Sequence, residues 1–405
     1  MKIFRISILV FSLKSPFSFA EKPILGVLNN TTDHREIILS EAERIGMHAY
    51  IFDTDSKIDQ KNNNISNVKI LRYGRVVRSD DSYPLPDVVY DFAFRANRTD
   101  ESKKKLGAIH SILEDSGVCF LIPKSVENFC NDKIQYANLL NNNNISHPNT
   151  ESYSKEKMME YIAKYDSLYL KPNDGSKGKG IIKIKKRKTG KLDISYIIKD
   201  RKGGYENVSI NKISLDRLSS VVEEAIKDTK CSKKRYLVQE GIEMISFKNK
   251  PFHIRSYTFR GEDGEWVKPS LFAKVGGHRG AGGYTEHYSR IVNFVSRKTG
   301  ISEEKLISEI LKISADIHYS LESEVGELIA ELGHDIVINK FGVVYSIETN
   351  LKSGQPVYIR KSGIELENDL FSNPGIVVHL LNNQFRREKA IAQFALFKSM
   401  DQKTI

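Results

Sequence analysis

At 405 residues, with 40% hydrophobic and 28% charged side chains, the chain has the composition of a soluble globular protein and the length for two or three domains, each with its own core. Its formal charge of +11 suits anionic partners, yet no aromatic-interleaved basic stripe or known nucleic-acid motif accompanies it, which argues against a nucleic-acid binder. The cysteines Cys119, Cys130 and Cys231, odd in number and far apart, form neither a disulfide framework nor a zinc pattern and fit a reducing compartment.

The first twenty residues imitate a secretory signal: a basic start, a short apolar run from Ile6 to Leu13, then Ser18-Phe-Ala20. Lys14 and Pro16 interrupt the run, which is too short to span a membrane. We read 1–22 as a leader on a cytoplasmic protein, and no other segment is a transmembrane candidate. From Pro23 to about Pro123 strands and helices alternate. Ile24–Leu28, Met47–Phe52 and Asp87–Asp91 read as strands, Val68–Val77 as a hairpin around Tyr73-Gly74, and Arg35–Gly46 and Ser102–Asp115 as helices. This predicts a small, doubly wound α/β domain of roughly one hundred residues, 23–123.

A second region, of α+β character, opens at 124. Ser125 is placed to cap a helix whose apolar periodicity carries on from Lys133 to Leu140, and Tyr153–Tyr165 reads as another helix. A strand then ends at Lys171-Pro172, a turn dense in glycine and lysine follows (Gly175, Ser176, Lys177, Gly178, Lys179, Gly180), and Ile181–Ile184 leaves it as a second strand. Glycines let the backbone come close to a ligand, and their N–H groups with the lysine ammoniums suit a polyphosphate. The β-branched exit excludes a P-loop and a dinucleotide fingerprint, both of which lead into a helix. Further strands are expected at Arg235–Glu243, Phe252–Phe259 and Ser270–Val275, a helix at Ser302–Leu321, and a boundary near 390 before a tail, 391–405.

Glu331 to Asn350 reads as a hairpin turning at Asn339-Lys-Phe-Gly342. Pairing Asn339 with Gly342 sets Ser346 opposite Asp335, with Glu348 diagonal to it and Asp335, Glu348 and Asn350 on one face. Two carboxylates and an amide oxygen are the hard donors that Mg²⁺ takes when phosphate and water complete its octahedron.

Lys133 in a helix, Lys171 before a glycine loop, Val238-Gln-Glu-Gly-Ile242, Arg255, and the Asp335…Glu348-Thr-Asn350 hairpin follow the order of the ATP-grasp superfamily. The preceding α/β domain, the Phe-x-Ile-Arg strand and the Glu-Leu-Gly-x-Asp hairpin most resemble its YheC/YheD, endospore coat-associated group. The resemblance implies an ATP-grasp fold over 124–390, two α+β subdomains clasping ATP with one or two Mg²⁺ ions. It implies that Lys133 and Lys171 contact phosphates, that Gly175 to Gly180 closes over them, and that Gln239, Glu240 and Ile242 meet adenine and ribose. Arg255 would neutralise the transferred phosphoryl group; Asp335, Glu348 and Asn350 would hold the metal. Three positions depart from the family's pattern: His253 replaces a common aspartate, Lys274 an arginine, and Gly276–Tyr284 lacks the usual asparagine. Lysine does not give arginine's bidentate grip. The implied activity is ligation of a carboxylate acceptor to an amine co-substrate, with His278 and Arg279 placed to meet an anionic substrate. A phosphotransferase and a coat-associated protein without turnover are the alternatives, and spore association comes with the family.

Overall fold

The computed structural model describes residues 22–29, 36–93, 100–174, 179–199, 205–231, 235–276, 284–351 and 374–402. Residues 1–21 of the expected leader, the loop residues Gly175, Ser176, Lys177 and Gly178, and His278 with Arg279 lie outside these.

The first unit contains β1 (Ile24–Leu28), α1 (Glu36–Arg44), β2 (His48–Phe52), β3 (Lys57–Asp59), β4 (Asn64–Ser66), β5 (Val68–Arg72), β6 (Arg75–Ser79), β7 (Tyr83–Pro84), β8 (Val88–Asp91), α2 (Asp100–Asp115) and β9 (Cys119–Phe120). Its main sheet has the order β6-β5-β2-β1-β8-β9. The run β2-β1-β8-β9 is parallel, and the β5–β6 hairpin makes an antiparallel edge. β1 is apolar along its whole length because helices or loops cover both its faces, the usual state of a parallel strand. The hairpin turns where expected: Tyr73 and Gly74 both have positive φ (50° and 73°), the signature of a turn that matches strand twist. The small antiparallel sheet β3-β4-β7 has strands of two or three residues, too short for alternation to mark them.

The connection into the second unit differs from expectation. Ser125 caps nothing; it lies inside α3 (Lys124–Asn131) and donates its hydroxyl to Glu327. Asp132, extended at φ −87° and ψ 99°, ends that helix and caps the next, α4 (Lys133–Asn142), by accepting from the Ile134 and Gln135 N–H groups. A short acidic side chain that satisfies helix-start donors breaks one apolar period into two helices.

The first grasp sheet combines β10 (Thr150–Ser152), β11 (Ser167–Pro172), β12 (Ile182–Lys186), β13 (Leu192–Lys199), β14 (Tyr205–Ile213) and β15 (Tyr236–Glu240), in the order β10-β15-β11-β12-β13-β14 with antiparallel pairing throughout. α5 (Lys155–Lys164) and α6 (Leu218–Asp228) cover one face, where Met158, Ile162, Leu218 and Val222 pack on Leu168, Leu170, Ile184 and Val238.

The second sheet is β16 (Ser246–Phe247), β17 (Lys250–Arg260), β18 (Trp266–Val275), β19 (Tyr284–Glu286), β20 (Glu331–Ile338) and β21 (Val344–Asn350), ordered β19-β18-β17-β20-β21 with β16 beside β17. Two helices precede β20: α7 (Tyr288–Thr299), absent from the expectations above although Ile291, Val292 and Val295 recur at helical spacing before Gly300, and α8 (Glu303–Val325). α8 opens on Ser302, whose hydroxyl accepts from the Lys305 N–H, and closes on Gly326 in the left-handed conformation.

The helix α9 (Pro374–Gln402) runs across the boundary expected at 390, and Ile391, Ala392, Phe394 and Ala395 in the supposed tail are buried. These residues join Leu25 and Val27 of β1, Ile38 and Leu39 of α1, and Ile254 and Ile336 of the second sheet in one continuous core. A buried polar knot sits in that junction. Tyr90 of β8 donates to Glu331 (2.8 Å), and Arg387 of α9 grips both oxygens of the same carboxylate (2.5 and 2.6 Å).

Candidate functional site

The second sheet sets four side chains in one cross-strand rung. Phe272 on β18 lies opposite Arg255 on β17, Arg255 opposite Asp335 on β20, and Asp335 opposite Glu348 on β21. The rung to one side brings Lys274 opposite His253; the rung to the other brings Asn350 opposite Gly333. Directly opposed residues share a face, so Arg255, His253, Lys274, Asp335, Glu348 and Asn350 all point one way.

The hairpin register differs from the expected one. Asn339 pairs with Val343, not Gly342: its N–H donates to the Val343 carbonyl at 3.0 Å, and Gly342 takes φ +82° in a three-residue turn. Ser346 therefore opposes Ile336, and a β-bulge between Ile336 and Asp335 adds one residue to β21. Continued without the bulge, that register would set Ile347 opposite Asp335 and turn Glu348 into the core. With it, Glu348 opposes Asp335 directly, closer than the diagonal placement expected from the sequence.

Charge on this face is tightly arranged. Arg255, 6% exposed, holds Asp335 with two hydrogen bonds, Nε to Oδ1 at 2.5 Å and Nη2 to Oδ2 at 2.7 Å. His253 Nε2 lies 3.3 Å from Oδ1, and the Asn350 amide donates to Oδ2 at 3.3 Å. Burial opposes the carboxylate's charge, but Arg255 and His253 outweigh it and hold Asp335 well below the usual range. Lys274 is shifted down to about 8, first by burial and then by Arg255. Glu348 is exposed and makes no ion pair or side-chain hydrogen bond among the described residues.

The first sheet supplies the facing groups. Lys171, next to the end of β11, donates to Gln239 Oε1 at 2.5 Å, and Gln239 donates in turn to Thr150. Burial shifts the Lys171 ammonium down to about 8; Glu348 pulls the other way and Lys133 adds to the fall. Lys171 thus lies within electrostatic reach of Lys133 on its own side and of Glu348 on the other sheet. Lys133, the first residue of α4, donates its ammonium to the Asn173 carbonyl at 3.3 Å, while Asn173 Oδ1 accepts from the Ile134 N–H. Sequence reasoning missed Asn173, which binds the helix start to the strand end so that both lysines face one place. Where the glycine loop re-enters β12, Gly180 has φ +74°, and a Cβ there would sit 2.7 Å from Pro172 and 2.9 Å from Cys231.

Gln239, Glu240 and Ile242 lie on the passage from the first sheet to the second. Glu240 accepts from the Asn149 backbone and side chain (3.2 and 2.9 Å). Gly241 donates to Ser167 at 2.8 Å, and a Cβ on it would stand 2.8 Å from that residue's backbone. Beyond Ile242, Lys340 donates to Glu243 and Ile245 donates to Ile338, tying the passage to the β20–β21 hairpin.

The donor set suits a hard divalent cation: the Asp335 and Glu348 carboxylates and the Asn350 amide oxygen, on one face, with Glu348 open to solvent. Burial, aided by the nearby charge of Glu348, pushes the Cys130 thiol up to about 12, so it supplies no thiolate nucleophile.

Two α+β units, one carrying lysines beside a glycine loop and the other an acidic hairpin, joined by a strand-to-strand linker, define the ATP-grasp class. The chain matches the YheC/D-like ATP-grasp family over residues 124–393 and belongs to it. It is 26% identical over 211 residues to endospore coat-associated protein YheD of Bacillus subtilis (strain 168), covering 51% of this chain and 43% of that protein. With YheC of the same organism it shares 24% over 234 residues, covering 56% and 60%. It spans about half the length of these curated relatives. Among solved structures, the macrocyclase MdnC bound with precursor peptide MdnA, from Microcystis aeruginosa MRC, aligns with a TM-score of 0.49 at 13% identity, over 91% of this chain and 97% of that one. The D-alanine-D-alanine ligase from Coxiella burnetii aligns with a TM-score of 0.48 at 12% identity, over 95% and 97%.

Proposed function

We propose that the chain is an Mg²⁺- and ATP-dependent ligase that joins a carboxylate to an amine through an acylphosphate. The observation that carries this reading is that Glu348, paired with Asp335 and through it with Arg255 in one rung, lies within electrostatic reach of Lys171 on the other sheet. Lys171 and Lys133 bind phosphate oxygens, and Gln239, Glu240 and Ile242 receive adenine and ribose. Gly175, Ser176, Lys177, Gly178 and Gly180 belong to the loop that covers the phosphates. Asp335, Glu348 and Asn350 would hold one or two Mg²⁺ ions, whose chemistry is to neutralise charge on the β- and γ-phosphates.

An acceptor carboxylate oxygen attacks the γ-phosphorus, and the bond to the β–γ bridging oxygen breaks with its electron pair leaving on ADP. The amine then attacks the acyl carbon; phosphate departs with the C–O electron pair and takes the amine proton. Arg255, held rigid by Asp335, faces the transferred group with its orientation already fixed. Lys274 lies one rung away, on the same face, to meet the acceptor's charge. No step calls for a protein nucleophile.

One observation favours a second reading, a nucleotide-binding coat-associated protein without turnover: Asp335 is already engaged by Arg255 and His253. Titrating ATP with and without Mg²⁺ into wild type and Glu348→Gln, followed by thermal unfolding, tests the site. Nucleotide at about 100 times its Kd should stabilise wild type by about 2.7 kcal/mol, with an Mg²⁺-dependent part that Glu348→Gln loses. ADP release that requires both an amino acid or peptide carboxylate and an amine identifies the ligase. Release without amine identifies a phosphotransferase. No stabilisation at millimolar nucleotide would sink the proposal.

A further inference from the structure

Three residues beyond Lys133, Tyr136 of α4 is buried, 6% exposed, beneath the acidic hairpin. Its hydroxyl hydrogen-bonds with Thr349 Oγ1 at 2.5 Å and Ser346 Oγ at 3.2 Å, both on β21 and both buried. Residues three apart on an unbroken strand point to opposite faces. Ser346 and Thr349 reach one phenol because the bulge lies between them, and the same extra residue swings Glu348 to the cleft side opposite Asp335. The core face therefore shows, in its hydroxyl pattern, the register that the cleft face needs. Further bonds continue inward. Thr349 Oγ1 lies 3.0 Å from His334 Nδ1, and Thr258 Oγ1 lies 3.3 Å from His334 Nε2 and 2.6 Å from His318 Nδ1.

We propose that Tyr136 is a positioning residue: its hydroxyl pins the β21 bulge from below, holding Glu348 and Asn350 in the register in which they can share a cation with Asp335. It also ties that strand to α4, while Lys133 at the start of that helix is held separately by the Asn173 carbonyl, so the contact bears on the cation ligands and not on the phosphate lysine. This rests on the Mg²⁺–ATP reading above. Apolar packing alone does not account for the arrangement, since a phenylalanine ring would fill the same space without selecting the two hydroxyls.

Tyr136→Phe removes only that oxygen. We would measure Mn²⁺ binding to the ATP-loaded protein, ATP binding without divalent ions, and amide exchange across residues 346–350. The expected result is Mn²⁺ affinity about 10-fold weaker, the range typical of lost outer partners of a metal ligand, with faster exchange at Ile347–Asn350 and unchanged metal-free ATP binding. Should Tyr136→Phe fold poorly, Thr349→Val carries the same expectation, and Thr349→Ser, which keeps the hydroxyl, should restore wild-type Mn²⁺ affinity. Wild-type Mn²⁺ binding and exchange in Tyr136→Phe, beside weakened binding in Glu348→Gln, would overturn this proposal alone. A wild-type protein that binds no Mn²⁺, with Glu348→Gln indistinguishable from it, would overturn the underlying reading and this one together.

Discussion

Lys171 carries its charge at a cost. Burial brings its ammonium down to about 8, with Lys133 adding to the effect and Glu348 opposing it. The sign of the consequence follows from linkage. The unfolded chain holds a proton on this lysine up to about pH 10.4, so between about 8 and that value the unfolded state binds more protons, and the ligand-free protein gains stability from this group as pH rises. A bound phosphate reverses the preference by stabilising the ammonium. Nucleotide affinity should therefore fall about tenfold per unit once pH climbs past 8, and Lys171→Met should bind weakly with a flat profile. Isothermal titration from pH 7 to 9.5 checks both; a wild-type affinity that ignores pH would remove Lys171 from the phosphate contacts. The lysines, Arg255 and the carboxylates were legible as residue types with a chemical reason to meet. Tyr136 was not, because its partners lie 210 and 213 residues away and a tyrosine on a helix reads as ordinary core.

Among the elements, the linker and the hairpin show how far alternation can be trusted. Period-2 patterning correctly put Asp335, Glu348 and Asn350 on one face. It misjudged the pairing because a β-bulge has no compositional mark: Ile347 is as β-prone as its neighbours. Likewise, the apolar period running from Ser125 through Leu140 reads as one helix, and only the Asp132 carboxylate, accepting two helix-start N–H groups, divides it in two. Gly241 matters for a reason invisible in one dimension, the close approach of Ser167. Gly241→Ala forces that backbone apart, and overpacking of this kind costs about 1–3 kcal/mol. The variant should unfold at lower urea and bind nucleotide more weakly than wild type, since Gln239, Glu240 and Ile242 move with the linker. Equal urea midpoints would show that the linker tolerates the added carbon.

For the molecule as a whole, the central strands of the first unit and of the two grasp sheets could be read in order because each shows its own period, whereas the short or edge strands β3, β4, β7, β10, β14, β16 and β19 could not. Nor could the union of the units. The core that joins β1, α1 and the second sheet is completed by α9, which begins beyond the β20–β21 hairpin and whose last residues were expected to form a tail. Its Arg387 neutralises Glu331 beside Tyr90, a three-way contact among residues 56, 241 and 297 positions apart that no local pattern encodes. The Arg255–Asp335 pair has a consequence at this same scale. A cluster of bare acidic ligands repels itself until an ion arrives, and many metal domains stay unstructured without one. Here the protein supplies a counter-charge from within through Arg255, so the fold should not depend on an ion for its completion. A chelator should leave the melting temperature of the nucleotide-free chain where it was; a fall would show the ion to be a structural part of the fold and not a visitor.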